Sequence, residues 1–327
     1  MLYNVHMKII KNANLSEFLW YKIGGKAKYV LECASEEDVL EAVSFIRAEK
    51  IKKCFVVGLG SNLLFTDEDY EGAIIKLVSN TKPKIILSGK DVVESFAGET
   101  LDSVIQFTFD NNLVGLEWAG GLPGTVGAAI RGNVGAFGGE ISKQFHSAKV
   151  IDVSSKKLVV KNLNRRDIKF SYRNSTIKKN PNLIVISASF KLKKVDEAVL
   201  GRSRTTYFSN IEYRKNKHPL EFPSTGSAFK NIREKENVKK VLDAFPDLEK
   251  EVRIKWHGKV SVGYLNKRLD LSGLKIGNAQ ISNKHSNFIV NLGGAKFSDV
   301  CSIITKIQET FMDEFGFSPE PEVEIVR

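Results

Sequence analysis

The stretch Gly120-Gly121-Leu122-Pro123-Gly124-Thr125-Val126-Gly127-Ala128-Ala129-Ile130-Arg131-Gly132-Asn133-Val134-Gly135-Ala136-Phe137-Gly138 decides how this chain is read. Eight of the chain's 25 glycines fall between Gly120 and Gly139, where a uniform spread gives about 1.5. So many glycines disfavour an unaided helix. The segment is also too apolar and too ordered for a flexible linker. Small residues throughout let the backbone approach something flat or anionic, such as a cofactor ring or phosphate. The competing reading is tight packing against another element.

Outward from this stretch, the flanking patterns are those of a mixed α/β chain. Upstream, residues 28–33 read as a strand and Ser35 as a helix N-cap, with Glu36, Glu37 and Asp38 in the first turn. Val39, Val43 and Ile46 share one helical face, and residues 54–57 predict a short buried strand. Strand, helix and strand make a unit of βαβ size. Thr100 predicts a cap for a second helix to about Asn111, with Leu101, Val104 and Ile105 inward. Downstream, residues 149–153 and 158–161 flank a hairpin turn at 154–157, and 183–192 is a further strand. Residues 196–218 carry little apolar periodicity and read as a connector. Helices are expected over 237–245 and 298–315. The latter has Ser298 as its cap, a stripe of Val300, Ile303, Ile304, Ile307 and Phe311, and Gly316 as its stop.

Composition narrows the function classes. The chain has 327 residues, 42% hydrophobic and 27% charged, which suits a soluble protein of more than one domain. The longest apolar candidate, 114–130, contains Glu117 and five glycines, so no membrane span is expected. Residues 1–11 hold no apolar block of the signal-peptide kind. Cys33, Cys54 and Cys301 are too few and too scattered for a disulfide framework, which points to a cytoplasmic location. The five histidines form no metal-type pair, so no metal is expected.

Other short motifs are weak one by one. Val57-Gly58-Leu59-Gly60-Ser61-Asn62 follows a strand and offers backbone N–H groups to a phosphate, with Ser61 and Asn62 as added donors. It lacks the third glycine of a dinucleotide fingerprint, where Leu63 stands, and the Gly-Lys end of a P-loop. A tight strand-to-loop turn explains it equally well. Phe170-Ser171-Tyr172-Arg173-Asn174-Ser175 offers one arginine, whose ordinary role is an ion pair. Pro223-Ser224-Thr225-Gly226-Ser227-Ala228-Phe229-Lys230-Asn231 presents Ser227 without a nucleophile elbow. In the tail, Glu322 and Glu324 alternate with Val323 and Ile325 as in a half-exposed strand.

Taken in order, these blocks resemble the UDP-N-acetylenolpyruvoylglucosamine reductase (MurB) family, in its shorter type II form. The resemblance also draws on Tyr21-Lys22-Ile23-Gly24-Gly25-Lys26-Ala27, Lys284-His285-Ser286-Asn287-Phe288-Ile289-Val290-Asn291 and Pro321-Glu322-Val323, and spans about 21–326. Leu59 and Ala128 stand where the family often has glycine. The resemblance implies an α+β chain with a two-lobed FAD-binding region of the vanillyl-alcohol-oxidase (PCMH) type and a C-terminal α+β substrate-binding domain. The expected division is 1–78, 79–210 and 211–327. It implies FAD as cofactor and NADPH as co-substrate, and a role in peptidoglycan synthesis, and with it cell shape and division. Cofactor-binding residues by resemblance are Gly58, Gly60, Ser61, Asn62, Gly120, Gly121, Pro123, Gly124, Thr125, Gly127, Asn133 and Gly135. Arg173, Ser227 and Glu322 match the catalytic positions, and Tyr172, Arg214, Lys230 and Asn231 the substrate side. A monomer acting on a UDP-sugar, with no nucleic-acid partner, is the expected working unit.

Two rivals stand beside this reading. One is another FAD oxidoreductase of the same superfamily, acting on an alcohol or hydroxy acid. The other is a basic nucleic-acid-binding protein, motivated by a net charge of +11. The charge is uneven: residues 143–215 hold 18 Lys and Arg against 5 Asp and Glu. That local excess suits an electrostatic funnel for anionic ligands or, more plainly, a solvated basic surface.

Overall fold

Ser35 turns the chain from strand to helix as expected. Its hydroxyl accepts the Asp38 N–H, and the helix Glu36–Ala48 follows the strand Lys26–Cys33. The computed structural model describes residues 7–79, 82–155 and 157–327. Within them the chain divides into two compact units. One holds 7–13, 27–59 and 70–214; the other holds 14–26, 60–69 and 215–327. Among the described residues no helix is long and apolar enough to cross a membrane.

The first unit is built on two sheets. Strands Lys8–Asn14, Lys26–Cys33, Tyr70–Leu77 and Lys53–Val57 lie side by side in that order, and the last two and Lys26–Cys33 run parallel. The second sheet is antiparallel, in the order Val159–Asn164, Phe145–Asp152, Leu183–Lys191, Val92–Phe96 and Ile85–Leu87. The expected hairpin is present, with Asp152 opposite Val159; Lys156 in its turn lies outside the described residues. Thr100 caps the helix Leu101–Asp110, and Leu101, Val104 and Ile105 are buried.

Three expectations need correction here. The strand at 54–57 is not buried throughout: in Lys53–Val57 only Val57 is, and Cys54 is exposed. It is the end strand of its sheet, paired with a neighbouring strand on one side only among the described residues. The glycine stretch contains a helix, Val126–Gly132. Tertiary packing supplies what propensity lacks: Ala97 and Glu99 carbonyls accept the Gly127 and Val126 N–H groups at 2.9 Å. Finally, the supposed connector at 196–218 is a 21-residue helix, Glu197–Lys217. Its buried positions Leu200, Ser203, Tyr207 and Asn210 have helical spacing, but two of the four are polar, which erased the apolar stripe.

The second unit carries an antiparallel sheet in the order Ser224–Ser227, Phe288–Asn291, Ala279–Ile281 and Lys275–Ile276. Helix Phe297–Phe315 contributes Val300, Ile303, Ile304, Ile307 and Phe311 to its core and ends at Gly316 with φ +70°. Its cap is Lys296, not Ser298: the Asp299 carboxylate reaches back to accept the Lys296 N–H at 3.0 Å. Two N-terminal segments join this unit. Tyr21, fully buried, donates its hydroxyl to the Ile289 carbonyl at 2.9 Å. Strand Leu63–Phe65 pairs in parallel with Glu324–Val326. The tail does not alternate as expected, since Val323 and Val326 are buried while Ile325 is 37% exposed. Regular pairing begins only at Glu324, which shifts the inward position by one.

Candidate active site

In the first unit, two of the weak motifs meet. A Cβ on Gly58 would lie 2.2 Å from Thr125 Oγ1, so the loop after strand Lys53–Val57 sits directly on the start of helix Val126–Gly132. Lys76, in the Tyr70–Leu77 strand and 9% exposed, donates its ammonium to the Gly58 carbonyl. Thr125 Oγ1 is buried and has no hydrogen-bond partner among the described residues. A buried hydroxyl left unsatisfied is costly. Beside a glycine loop and a buried lysine, that donor set fits an anionic group such as a pyrophosphate.

The remaining glycines are largely accounted for by the chain itself. Gly120 faces the Tyr207 carbonyl, where a Cβ would come within 2.4 Å. Gly121, at φ +68°, faces Ile211 and Arg214; Gly127 faces Ala97; and Gly135 faces the Gly139 carbonyl. At these four positions packing against the chain's own elements is present, as the competing reading required. Gly124 differs, with nothing nearer than 3.5 Å to a Cβ there. Pro123, just before it, is exposed.

The Ser171–Ser175 motif docks onto the same stretch. Asn133, fully buried at φ +45°, donates its amide to the Ser171 carbonyl and to Glu140 Oε1, both at 2.8 Å. Its Oδ1 is buried without a partner among the described residues. Ser175 Oγ donates to the Arg131 carbonyl at 2.7 Å. Ser171 and Asn174 exchange backbone hydrogen bonds at 3.0 Å, which puts Tyr172 and Arg173 at the tip of a tight turn. Arg173 takes φ +55°, a conformation that a side chain tolerates only when its surroundings hold it. One of its guanidinium nitrogens, Nη2, donates to the Gly135 carbonyl at 3.0 Å, and the group lies 5.1 Å from the Tyr172 ring centre.

Arg214 belongs to the first unit as well, near the end of helix Glu197–Lys217. Its Nε donates to the Gly120 carbonyl at 2.9 Å and its guanidinium stacks 5.0 Å from Phe137. Burial brings its pKa down to about 10, so it stays protonated at neutral pH, and its Nη2 is buried without a partner among the described residues.

The second unit holds the rest. Gly60, at φ +68°, packs on Leu19, and Ser61 and Asn62 are half-buried. Asn62 does more than line a loop: its Nδ2 donates to the Glu322 carbonyl and its own carbonyl accepts the Glu324 N–H, both at 3.0 Å. The Glu322 N–H donates to the Ala228 carbonyl at 2.7 Å. Ser227 and Glu322, far apart in sequence, are therefore one residue and one hydrogen bond from each other. Lys230 pairs with the Glu320 carboxylate, and Asn231 is exposed. Lys76 and Glu140, which hold these segments, were not identified from sequence, and Asn287, which holds Phe229, stood in a quoted block without a role. Lys76 and Asn287 bond residues 18 and 58 positions away, and the Glu140–Asn133 pair, seven apart, lies within no single helix or strand. Among the described residues no group of three or more His, Cys, Asp or Glu is placed to hold a metal ion.

Residues 218–326 match the family described as UDP-N-acetylenolpyruvoylglucosamine reductase, C-terminal domain, and residues 27–160 match the FAD binding domain. The chain is 35% identical over 326 residues to UDP-N-acetylenolpyruvoylglucosamine reductase of Caldicellulosiruptor bescii, covering 99% of this chain and 93% of the relative. It is 32% identical to that of Fusobacterium nucleatum, covering 98% and 100%. Among solved structures, the crystal structure of UDP-N-acetylenolpyruvylglucosamine reductase (MurB) from Thermus caldophilus is similar, with TM-score 0.73 and 26% identity over 98% of this chain and 99% of that one.

Proposed function

The chain belongs to the UDP-N-acetylenolpyruvoylglucosamine reductase family, and from that premise we propose that it reduces enolpyruvyl-UDP-N-acetylglucosamine to UDP-N-acetylmuramate with NADPH as donor. It is a FAD-containing oxidoreductase of peptidoglycan synthesis. In this reading residues 1–78 and 79–210 form the two FAD lobes, 211–327 takes the substrate, and the reaction is cytoplasmic. When bound, FAD supplies a hydride taken from NADPH and passed from flavin N5 to C3 of the enolpyruvyl group.

The protein's share is to bind, orient and protonate. Gly58, Gly60 and Ser61, with Thr125 and the charge of Lys76, hold the pyrophosphate. Gly120, Gly121, Pro123, Gly124, Gly127, Asn133 and Gly135 shape the wall against the ring system. Asn62 joins this set through the loop it closes. Negative charge develops on C2 and the neighbouring carboxylate of the substrate. The Arg173 guanidinium, aimed by Gly135 and Tyr172, stabilises it as a fixed, permanently charged donor. Glu322 polarises the same carboxylate, and Ser227 delivers the proton to C2. Serine is a weak acid, but the carbanion-like centre is a strong base, so position counts for more than acidity. Tyr172, Arg214, Lys230 and Asn231 engage the nucleotide-sugar. The basic excess over 143–215 draws these anions in, an on-rate effect that rising salt should reduce.

One observation carries the proton-delivery part of this reading: the Ala228 carbonyl that ties Ser227 to Glu322. Stopped-flow absorbance on the two half-reactions tests it. Ser227→Ala should leave NADPH-driven flavin reduction intact and slow flavin reoxidation by substrate by orders of magnitude. Equal loss in both halves would sink the proton-donor role.

A further inference from the structure

The strand that carries Ser227 stops being a regular strand where it matters. Ser224 pairs with Val290 and Ser227 with Phe288, and the register slips between them, where Gly226 takes φ +73°. Past Ser227 the regular ladder ends. The next rungs are made by one residue, Asn287. Its carbonyl accepts the Ala228 N–H at 2.7 Å. Its side-chain Oδ1 accepts the Phe229 N–H at 3.1 Å, and its Nδ2 donates to the Phe229 carbonyl at 2.9 Å. A carboxamide has the same donor and acceptor as a peptide group, so the side chain stands in for a missing strand residue.

The opposite edge of the same segment holds Glu322. The Ala228 carbonyl accepts the Glu322 N–H at 2.7 Å, and the Lys230 N–H donates to the Glu320 carbonyl at 3.0 Å. Residues 228–230 therefore lie between Asn287 on one side and 320–322 on the other. Asn287 is itself held. It is 4% exposed, its N–H donates to His285 Nδ1 at 3.3 Å, and Asn266 Nδ2 holds the preceding Ser286 carbonyl at 2.7 Å. Gly263 packs so near that a Cβ there would lie 3.0 Å from the Asn287 Cβ.

We infer that Asn287 is a positioning residue for proton delivery: its carboxamide sets the Ser227 hydroxyl and Glu322 in register with each other. This rests on the reading of Ser227 as the proton donor. It predicts a loss confined to the half-reaction that needs the proton. A side chain that merely stabilised the fold would weaken both halves, or neither.

The test is a double-mutant cycle on the FAD-loaded enzyme, with both half-reactions followed by stopped-flow and the thermal midpoint recorded. Asn287→Ala should slow flavin reoxidation by substrate roughly 10- to 100-fold, the scale set by a misplacement of about 1 Å, and leave flavin reduction by NADPH within about twofold. Added to Ser227→Ala, it should cause much less slowing than it does alone, because only its hold on Glu322 is then left to lose. Should Asn287→Ala fail to fold, Asn287→Asp carries the test, since it keeps the acceptor for the Phe229 N–H and loses the donor to its carbonyl. Full additivity in the double variant, or equal loss in both half-reactions, overturns the inference. So does normal reoxidation in the Asn287 variants when Ser227→Ala is slow, and that outcome leaves the Ser227 role standing. Normal reoxidation in Ser227→Ala removes the proton-donor role, and this inference with it.

Discussion

The Gly120–Gly138 stretch and the Ser224–Asn231 segment are held in place by opposite means. In the first, position comes from missing side chains. Backbone meets the Tyr207 carbonyl, Ala97 and the Gly139 carbonyl at distances a Cβ would forbid. In the second, position comes from added side chains: the carboxamides of Asn287 and Asn62 tie Phe229 and Glu322 to neighbouring strands. Close packing is unforgiving of added atoms, whereas a hydrogen-bonded segment is unforgiving of lost ones. The first arrangement suits a rigid wall, the second a segment whose exact offset sets a reaction.

That contrast can be broken from the glycine side first. Gly139→Ala would set a Cβ 2.0 Å from Cγ of the buried Trp118, and should cost about 3 kcal/mol in urea unfolding. On the amide side, Asn291 is 2% exposed, donates to the Tyr21 carbonyl at 3.1 Å and accepts the Gly293 and Ala295 N–H groups at 2.9 and 3.0 Å. Asn291→Ala leaves the buried Tyr21 carbonyl and Ala295 N–H without this partner and should cost about 2 kcal/mol by the same measurement. A loss below a few tenths would mean that water replaces the amide.

Gly138→Ala should be milder. No atom lies within 4 Å of the Cβ position, but φ is +79°, so only the backbone penalty of about 1 kcal/mol applies. Burial of a titratable group should appear in the pH dependence of stability. Burial lowers the pKa of His285, so the folded state binds its proton less readily than the unfolded chain. The contribution is fully present above the unfolded value, near pH 6.5, and is lost as pH falls toward the lowered folded value. Urea midpoints at pH 7.5 and 5.5 should diverge, and His285→Gln should narrow the gap. An unchanged gap would assign it to other groups.

The smallest effect has the opposite sign. Gly132 ends helix Val126–Gly132 with nothing within 4 Å of its Cβ position and no positive φ. Gly132→Ala should stabilise the FAD-free protein by about 0.5 kcal/mol. Weaker FAD binding in the same variant would assign that glycine's open space to the cofactor.

The two long helices mark how far local pattern reaches. In Phe297–Phe315 the buried face is apolar at every turn, so its spacing was legible from sequence alone. Glu197–Lys217 has equally regular burial, but Ser203 and Asn210 occupy inward positions, and Asn210 donates to the Glu117 carbonyl at 3.1 Å. Its signature was displaced onto Gly120 and Gly121, which make room for it. For the candidate site, residue types and their order were legible: glycines where the backbone must come close, and an arginine, a serine and a glutamate in motifs resembling one family. The holding roles of Lys76, Glu140 and Asn287 were not, because hydrogen bonds spanning 18, seven and 58 positions leave no periodic trace.

The sequence by itself determined the α+β class, the capped helices at Ser35 and Thr100, the family and the chemical inventory. The caps and the inventory depend on spacing or residue type within a short window, where the physics of caps and turns is local, while the family and the class it implies rest on a resemblance carried by the order of several motifs. Tertiary structure alone decided that a glycine-rich stretch becomes a helix and that Ser227 and Glu322 share the Ala228 peptide. These outcomes depend on which distant backbone groups are left to pair once the chain has packed, and no window of sequence contains both partners.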